Sequence, residues 1–361
     1  MFNCPELAAE FGVPEGGKHP KLRLVALLQA GTMRWKAAAI GGYHDGENAL
    51  ADQLGDALGP GQLSLADRGF FSMHRWLRFS AAGAHLLWRV KNAARSVPFR
   101  QLRTLKDGSE LVLLRESANM LGKRRRDAGD RSLPRLKDTV ARLVCFTVLT
   151  RIRRGRTKTA AIRVLTTLLD PGAFPAAEIA ALYAARWQVE TAFLHLKKTV
   201  RGAGRELRGR SAALARQEAR ALLLVHNMIA AMAARAAAAA GTGIAAVSFT
   251  AVLSLVRDHV AADICCRHCG QRPSGSGDPL GQLTAAIQAQ PLNRQNRRRT
   301  SGRTTAERKK WPTEEATYDL TIVPSNLPKA HTKSENLRAV GWRVSRSENC
   351  GKSQLLLPCW R

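Results

Sequence analysis

Acidic residues are scarce: 28 Asp and Glu stand against 57 Lys and Arg, a formal net charge of +29 over 361 residues. That balance points to a polyanionic partner, nucleic acid first and a membrane surface second. Cysteine pairing is also lacking. Of seven cysteines, Cys4, Cys145, Cys350 and Cys359 are scattered and only Cys265, Cys266 and Cys269 cluster, which excludes a disulfide framework and reads as a reduced, cytoplasmic chain. The N-terminal Met-Phe-Asn-Cys-Pro lacks the basic and apolar regions of a secretory leader. The longest apolar stretch, Ala221 to Ala240, is interrupted by His226 and Arg235, so it reads as a buried helix rather than a membrane span. No internal repeat is visible. What is present in quantity is apolar surface: 45% hydrophobic residues exclude a wholly disordered basic tail and supply a real core.

The charge is uneven. Residues 1–98 hold 11 basic and 8 acidic residues, residues 99–220 hold 27 and 11, and residues 221–361 hold 19 and 9. The excess therefore lies after the first quarter of the chain. An arginine-rich surface also arises from a GC-rich genome, which bears on the total more than on the local runs.

Residues 22–30 and 33–40 read as two strands of a hairpin turning at Gly31-Thr32, and 46–58 as a helix stopped by Gly59-Pro60-Gly61. A short apolar strand then runs into Asp67, with a helix beginning near Phe70 and another strand over 84–90. From about 95 to 168 the pattern changes to short β runs, Leu111–Leu114, Arg142–Leu149 and Ala160–Leu165, with Asp107-Gly108 as a hairpin signal. The basic runs Lys123–Arg126 and Arg151–Lys158 read as loops between these strands. One long helix opens at Pro175 and runs to about Val200, and a second covers about Ser211 to Ala240. Gly270–Gly281 reads as a linker, 291–311 as a basic polar stretch, and 317–323 as a late strand. No periodicity is present after residue 330, and disorder is expected there.

Two places carry chemistry. Asp67 sits where a strand ends and a turn begins, the position that faces the ligand crevice in open α/β sheets. Asp is equally a common turn and helix-cap residue. Tyr183, Arg186, Glu190 and Lys197 fall at offsets 0, 3, 7 and 14, which at about 100° per residue puts all four on one helix face. Ordinary ion pairs on a solvated face give the same pattern.

The spacing Tyr183-x2-Arg186-x3-Glu190-x6-Lys197 resembles the signature helix of the DDE transposases of bacterial insertion sequences, in the IS-four group. The segment Leu65-Ala66-Asp67-Arg68-Gly69-Phe70-Phe71-Ser72 resembles the region of their second catalytic Asp. The order, strand with Asp, β insertion of about a hundred residues, helix with Glu, is similar too, over roughly residues 3–230. The resemblance implies an α/β, ribonuclease H-like catalytic domain with an inserted β-rich subdomain. It divides the chain into 1–94 and 169–245 of that domain around an insertion at 95–168, a basic region at 246–330 and a disordered tail at 331–361. It also implies that Asp67 and Glu190 are catalytic and ligate Mg²⁺ or Mn²⁺, that Tyr183, Arg186 and Lys197 bind DNA phosphates, and that the protein acts as a homo-oligomer on double-stranded DNA, without a membrane, in the cytoplasm at the nucleoid. Two metal ions would activate the attacking oxygen and stabilise the leaving one.

The family uses three carboxylates, the first on the first strand of its sheet, and here no Asp precedes Asp45. Asn3-Cys4-Pro5-Glu6 through Phe11-Gly12 resembles the stretch just downstream of that first Asp in the family. Asp45 lies after the third strand, and Glu6, Glu10 and Glu15 lie in a loop-like segment. The expectation is an N-terminally truncated copy, with its first strand missing, impaired in strand cleavage. The alternatives are a non-catalytic DNA-binding protein, such as a truncated transposase inhibitor, and a basic RNA-binding protein, for which no aromatic strand motif is present. Cys265, Cys266, His268 and Cys269 offer at most half of a zinc site. Trp88, Arg89 and Lys91 end a strand where DNA contact or an ordinary sheet edge are both open.

Overall fold

The computed structural model describes residues 4–92, 97–152, 156–202, 204–264, 278–290, 318–322 and 354–357. The chain forms two compact units. One contains Met1–Leu54, Trp187–Gln295 and Gln354–Arg361; the other contains Gly55–Arg186 and Asn296–Ser353. Both are mixed α/β.

The first unit begins with α1 (Pro5–Phe11), whose Pro5 suits the first helical turn. The hairpin expected at 22–40 is present as β1 (Arg23–Gln29) and β2 (Arg34–Gly41). Leu24 to Leu28 are buried without alternation, the pattern of a strand covered on both faces. The register slips between Leu27 and Leu28, which leaves Lys36 as the extra residue of a bulge. Beside it, Asn227 clasps the strand: its Nδ2 donates to Trp35 O at 2.8 Å and its Oδ1 accepts from Trp35 N at 2.6 Å. Asn227 belongs to α7 (Ala212–Ala239), which Ser211 caps by accepting from Leu214 N. Small residues, Ala215, Ala219, Ala230, Ala233 and Ala237, form the buried stripe of α7 and let neighbours approach closely. Length and hydropathy alone would let α7 cross a bilayer, but Arg216, Glu218 and Arg220 occupy its start and it packs against α8 (Phe249–Ile264) and α9 (Pro279–Gln288). Neither α8 nor α9 was anticipated. The helix expected at 46–58 is shorter, α2 (Glu47–Asp52), followed by a 3₁₀ turn in the second unit.

The second unit is built on a six-stranded sheet in the order β3-β4-β8-β7-β6-β5. Its strands are β3 (Leu63–Ala66), β4 (His85–Val90), β5 (Phe99–Thr104), β6 (Glu110–Leu114), β7 (Thr139–Ile152) and β8 (Arg156–Thr166). A further strand, β9 (Tyr318–Ile322), pairs with β7 where the late strand was expected. β3 and β4 are parallel, Leu63↔His85 through Ala66↔Trp88, and every other pair is antiparallel. The parallel pair requires a crossover. It is made by α3 (Met73–Ala81), which Ser72 caps by accepting from Arg75 N. Met73, Trp76 and Phe79 recur along one side of α3 and are buried. Trp76 and Phe79 meet Trp88 edge-on at centroid distances of 5.7 and 5.5 Å, and Trp88 Nε1 donates to Ser64 Oγ at 3.2 Å. A face-to-edge aromatic cluster of this kind fixes helix against sheet. Gly108 turns the β5–β6 hairpin at φ +79°, as the Asp-Gly signal required.

Both basic runs expected in loops stand on regular elements. Lys123–Arg126 lies on α4 (Ala118–Ala128), capped by Ser117 and closed by Gly129 in the left-handed region. Its middle arginines are internal ties: Arg124 pairs with Glu116 at 2.8 Å and Arg125 Nε donates to Leu133 O at 2.9 Å. Of the second run, Arg151, Ile152 and Arg156–Lys158 are paired strand residues of β7 and β8. The tail 331–361 lies mostly outside the described residues, but Gln354–Leu357 forms β10, which pairs with β1 at Leu28↔Leu356 and Gln29↔Leu355. The basic stretch 291–311 and the cluster Cys265, Cys266, His268 and Cys269 lie outside the described residues.

Candidate active site

Asp67 is the first residue after β3, and its carbonyl accepts from Phe70 N at 3.0 Å to close the turn toward α3. β3 and β4 run parallel with Ala66 opposite Trp88, so the next residues along each strand, Asp67 and Arg89, emerge side by side at the carboxyl ends. Arg89 Nη1 lies 3.7 Å from Asp67 Oδ1. That oxygen is buried and accepts no hydrogen bond, and Arg89 Nε is likewise buried without an acceptor. Unsatisfied polar atoms of this kind are costly, and they mark a place shaped for something beyond the pair itself.

Two residues of the signature helix join this group. α5 (Ala176–Ala184) carries Tyr183, and a 3₁₀ turn, Ala185–Trp187, carries Arg186. Both side chains are buried, the Tyr183 hydroxyl has no hydrogen-bond partner, and the Arg186 guanidinium carbon lies 5.9 Å from the Tyr183 ring centre. Burial pushes the Tyr183 phenol well above its ordinary range, the Arg186 and Arg89 charges pull it back, and the Asp67 carboxylate raises it further. Tyr183 is therefore a neutral hydroxyl donor at any working pH, close enough to Asp67, Arg89 and Arg186 to feel their charges. Sequence reasoning placed Arg89 only as a possible DNA contact. Its pairing with Asp67 comes from the parallel register of β3 and β4, which no local signal discloses.

The other two predicted residues stand in the first unit. Glu190 is in the first turn of α6 (Gln188–Leu194) and is exposed. Glu at a helix N-terminus is favoured by the macrodipole. Gln188, from the same turn, accepts from Gly31 N at 3.1 Å. Lys197 lies on a π-helical turn, His195–Val200, and is half-buried. Burial, with Arg201 and Lys198 adding to it, pushes its ammonium down to about 8. The helical run is thus not uniform, as equal steps of 100° assume: 3₁₀ and π turns interrupt it, Tyr183 and Arg186 are buried, and Glu190 is exposed. Short π segments recur at functional sites.

Of the other acids, Glu6 accepts from Ala212 N at 3.1 Å, and Glu10 pairs with Arg216. Both stand on α1, not in a loop, and both tie α1 to α7. Asp45 Oδ2 accepts from Gly42 N at 2.6 Å. Among the described residues no three His, Cys, Asp or Glu side chains converge. These carboxylates therefore do not complete a divalent-metal site, although the unbonded Asp67 oxygen is a hard donor of the type Mg²⁺ takes.

Strand-end aspartate, buried tyrosine and arginine, and downstream helix glutamate define a transposase-type catalytic domain. The chain belongs to the family described as Transposase DDE domain, whose model matches residues 12–228. The matched region includes Asp67, Tyr183, Arg186, Glu190 and Lys197. Membership implies divalent-metal dependence in general. The chain is similar to Transposase InsG for insertion sequence element IS4 of Escherichia coli (strain K12), 29% identical over 212 residues. That match covers 58% of this chain and 44% of the relative, so the chain corresponds to less than half of the relative's length.

Proposed function

We propose that the chain is the catalytic part of an insertion-sequence transposase with a ribonuclease H-like fold, acting on double-stranded DNA by metal-dependent strand cleavage and transfer. The observation that carries this reading is the group at the carboxyl ends of β3 and β4: Asp67 with an unbonded buried oxygen, beside Arg89, Tyr183 and Arg186. The parallel β3–α3–β4 unit, succeeded by antiparallel strands and then the Glu190 helix, supports the ribonuclease H-like assignment with residues 95–168 as the insertion.

In this reading Asp67 and Glu190 are the catalytic carboxylates and the ligands of Mg²⁺ or Mn²⁺, which when bound would polarise the scissile phosphate. Arg186 and Lys197 hold phosphate oxygens by charge-assisted hydrogen bonds, and the Tyr183 hydroxyl donates a neutral one. These contacts position the backbone without reading sequence. Cytoplasmic, nucleoid-bound action as a homo-oligomer on two DNA ends completes the proposal.

With two of three carboxylates, this chain on its own cleaves poorly. Supercoiled plasmid carrying the element's ends, incubated with Mn²⁺, tests both halves. Duplex binding with weak nicking is the expected result. Robust nicking abolished by Glu190→Gln overturns the impaired reading, and absence of duplex binding overturns the transposase reading. Tight binding to element ends with no nicking at all favours the alternative, a non-catalytic inhibitor.

A further inference from the structure

Between Asp138 and Asp170 the chain has no acidic residue, while it carries Arg142, Arg151, Arg153, Arg154, Arg156, Lys158 and Arg163. Two of these seven are spoken for inside the second unit. Arg142 is fully buried, paired with Asp107 and donating to Ser109 Oγ at 2.8 Å. Arg163 donates to Asn92 O at 3.2 Å and lies over the Phe99 ring. The other five occupy the far end of β7 and β8 and the link between them.

That far end is an overhang. β6 pairs with β7 only over Thr139–Leu143, β4 pairs with β8 only over Arg163–Thr166, and β9 pairs with β7 only as far as Thr150. Beyond Thr150↔Lys158, the pairs Arg151↔Thr157 and Ile152↔Arg156 have only each other among the described residues. A two-stranded ribbon is marginal in water, and like charges crowded on it weaken it further. The concentration of arginine there thus works against the ribbon's own stability and calls for an outside anion.

Register places these residues on both faces. Lys158 and Arg156 share one face with Thr150 and Ile152, and Arg151 shares the other with Thr157. A basic patch meant for one flat surface would charge one face. A ribbon charged on both suits a channel with phosphates on either side. The major groove of B-DNA admits a two-stranded ribbon and is about 8.5 Å deep. Two strand steps past Thr150 reach about 7 Å, before the linking residues are counted.

We propose that the distal β7–β8 ribbon, through Arg151, Arg156 and Lys158, enters the major groove of duplex DNA as a finger apart from the Asp67 group. This rests on the DNA-acting reading above. The test measures binding of the full chain to a 30-bp DNA duplex over a salt series, for the parent and for Arg151→Ala/Arg156→Ala/Lys158→Ala. Loss of three phosphate contacts makes the slope of log affinity against log salt shallower by about 2.7. The same comparison on an RNA duplex, whose major groove is too narrow and deep for a ribbon, is expected to show no change. An unchanged DNA slope overturns the finger. An equal loss on RNA overturns the groove assignment. A parent chain that binds no DNA overturns the function reading instead. Should the triple variant fail to fold, amine-reactive labelling of Lys158 in the parent decides: protection by the DNA duplex supports the finger, and equal labelling with and without DNA overturns it.

Discussion

Asp67 and Arg89 stand side by side at the ends of two parallel strands, with 3.7 Å between carboxylate and guanidinium. Their side chains are 38% and 23% exposed, so the pair sits where water screens it and contributes at most about 1 kcal/mol. Asp67→Asn is therefore expected to change stability by no more than about 1 kcal/mol in urea unfolding, while removing the residual Mn²⁺-dependent nicking. A loss of several kcal/mol would show that Asp67 serves the fold instead of the chemistry.

Arg142 and Asp107 make the opposite case. Arg142 is fully buried and also reaches the carbonyls of Leu168 at 3.3 Å and Phe174 at 2.6 Å. Asp107 caps the same junction by accepting from Ala176 N at 2.9 Å, which ties the start of α5 to the β5–β6 hairpin. Removing one partner leaves a buried charge without its counterion, so Arg142→Met should destabilise by roughly 3–5 kcal/mol. The double variant Arg142→Met/Asp107→Asn should cost less than the two single effects added, a coupling that a double-mutant cycle in urea reads directly.

How much of this was legible in advance depended on whether the signal was local. The β1–β2 hairpin, β3 running into Asp67, and the helices bearing Glu190 and His226 are marked by apolar periodicity and by Gly, Ser and Pro at their ends. The α4 helix escaped because it buries no residue, so periodicity had nothing to display, although Ser117 and Gly129 mark its caps. The ends of β7 and β8 escaped because Arg151 to Lys158 carry no apolar alternation; the pairing that holds them begins some ten residues back, at Arg142↔Thr166. Arg89 beside Asp67 depends on a parallel register set by the α3 crossover, a long-range property. Tyr183 and Arg186 were chosen by spacing, but their burial depends on neighbours from other strands.

A buried histidine pair sets an acid limit on the first unit. His195 stacks on Phe249 at 4.3 Å between ring centres, and His226 lies 4.9 Å from the same ring and 5.4 Å from Trp35. Burial pushes His195 down to about 4. Burial, then the nearby His195, pushes His226 down to about 3 against a hydrogen bond from Asn227. The unfolded chain takes up these protons near pH 6.5, before the folded one does, so stability rises with pH from about 3 to 6.5 and is flat above. Unfolding midpoints in urea between pH 4 and 8 should show this limb. His226→Phe should flatten it, and an unchanged limb would assign acid sensitivity to other groups.

Lys197 gives the last prediction, on binding instead of folding. Its ammonium titrates near 8 because it is half-buried beside Arg201 and Lys198, so above that pH the free protein carries a neutral amine. A phosphate oxygen at the amine favours the charged form and raises its pKa. DNA binding near pH 8 to 9 should then take up a proton at Lys197, and affinity should fall as pH rises through this range. Calorimetry in two buffers of different ionisation enthalpy measures that proton. Lys197→Arg keeps the charge at every working pH, so it should abolish the uptake and level the affinity profile while leaving binding at pH 7 near the parent value. Equal proton uptake by parent and variant would place the titrating group elsewhere and remove Lys197 from the phosphate contacts.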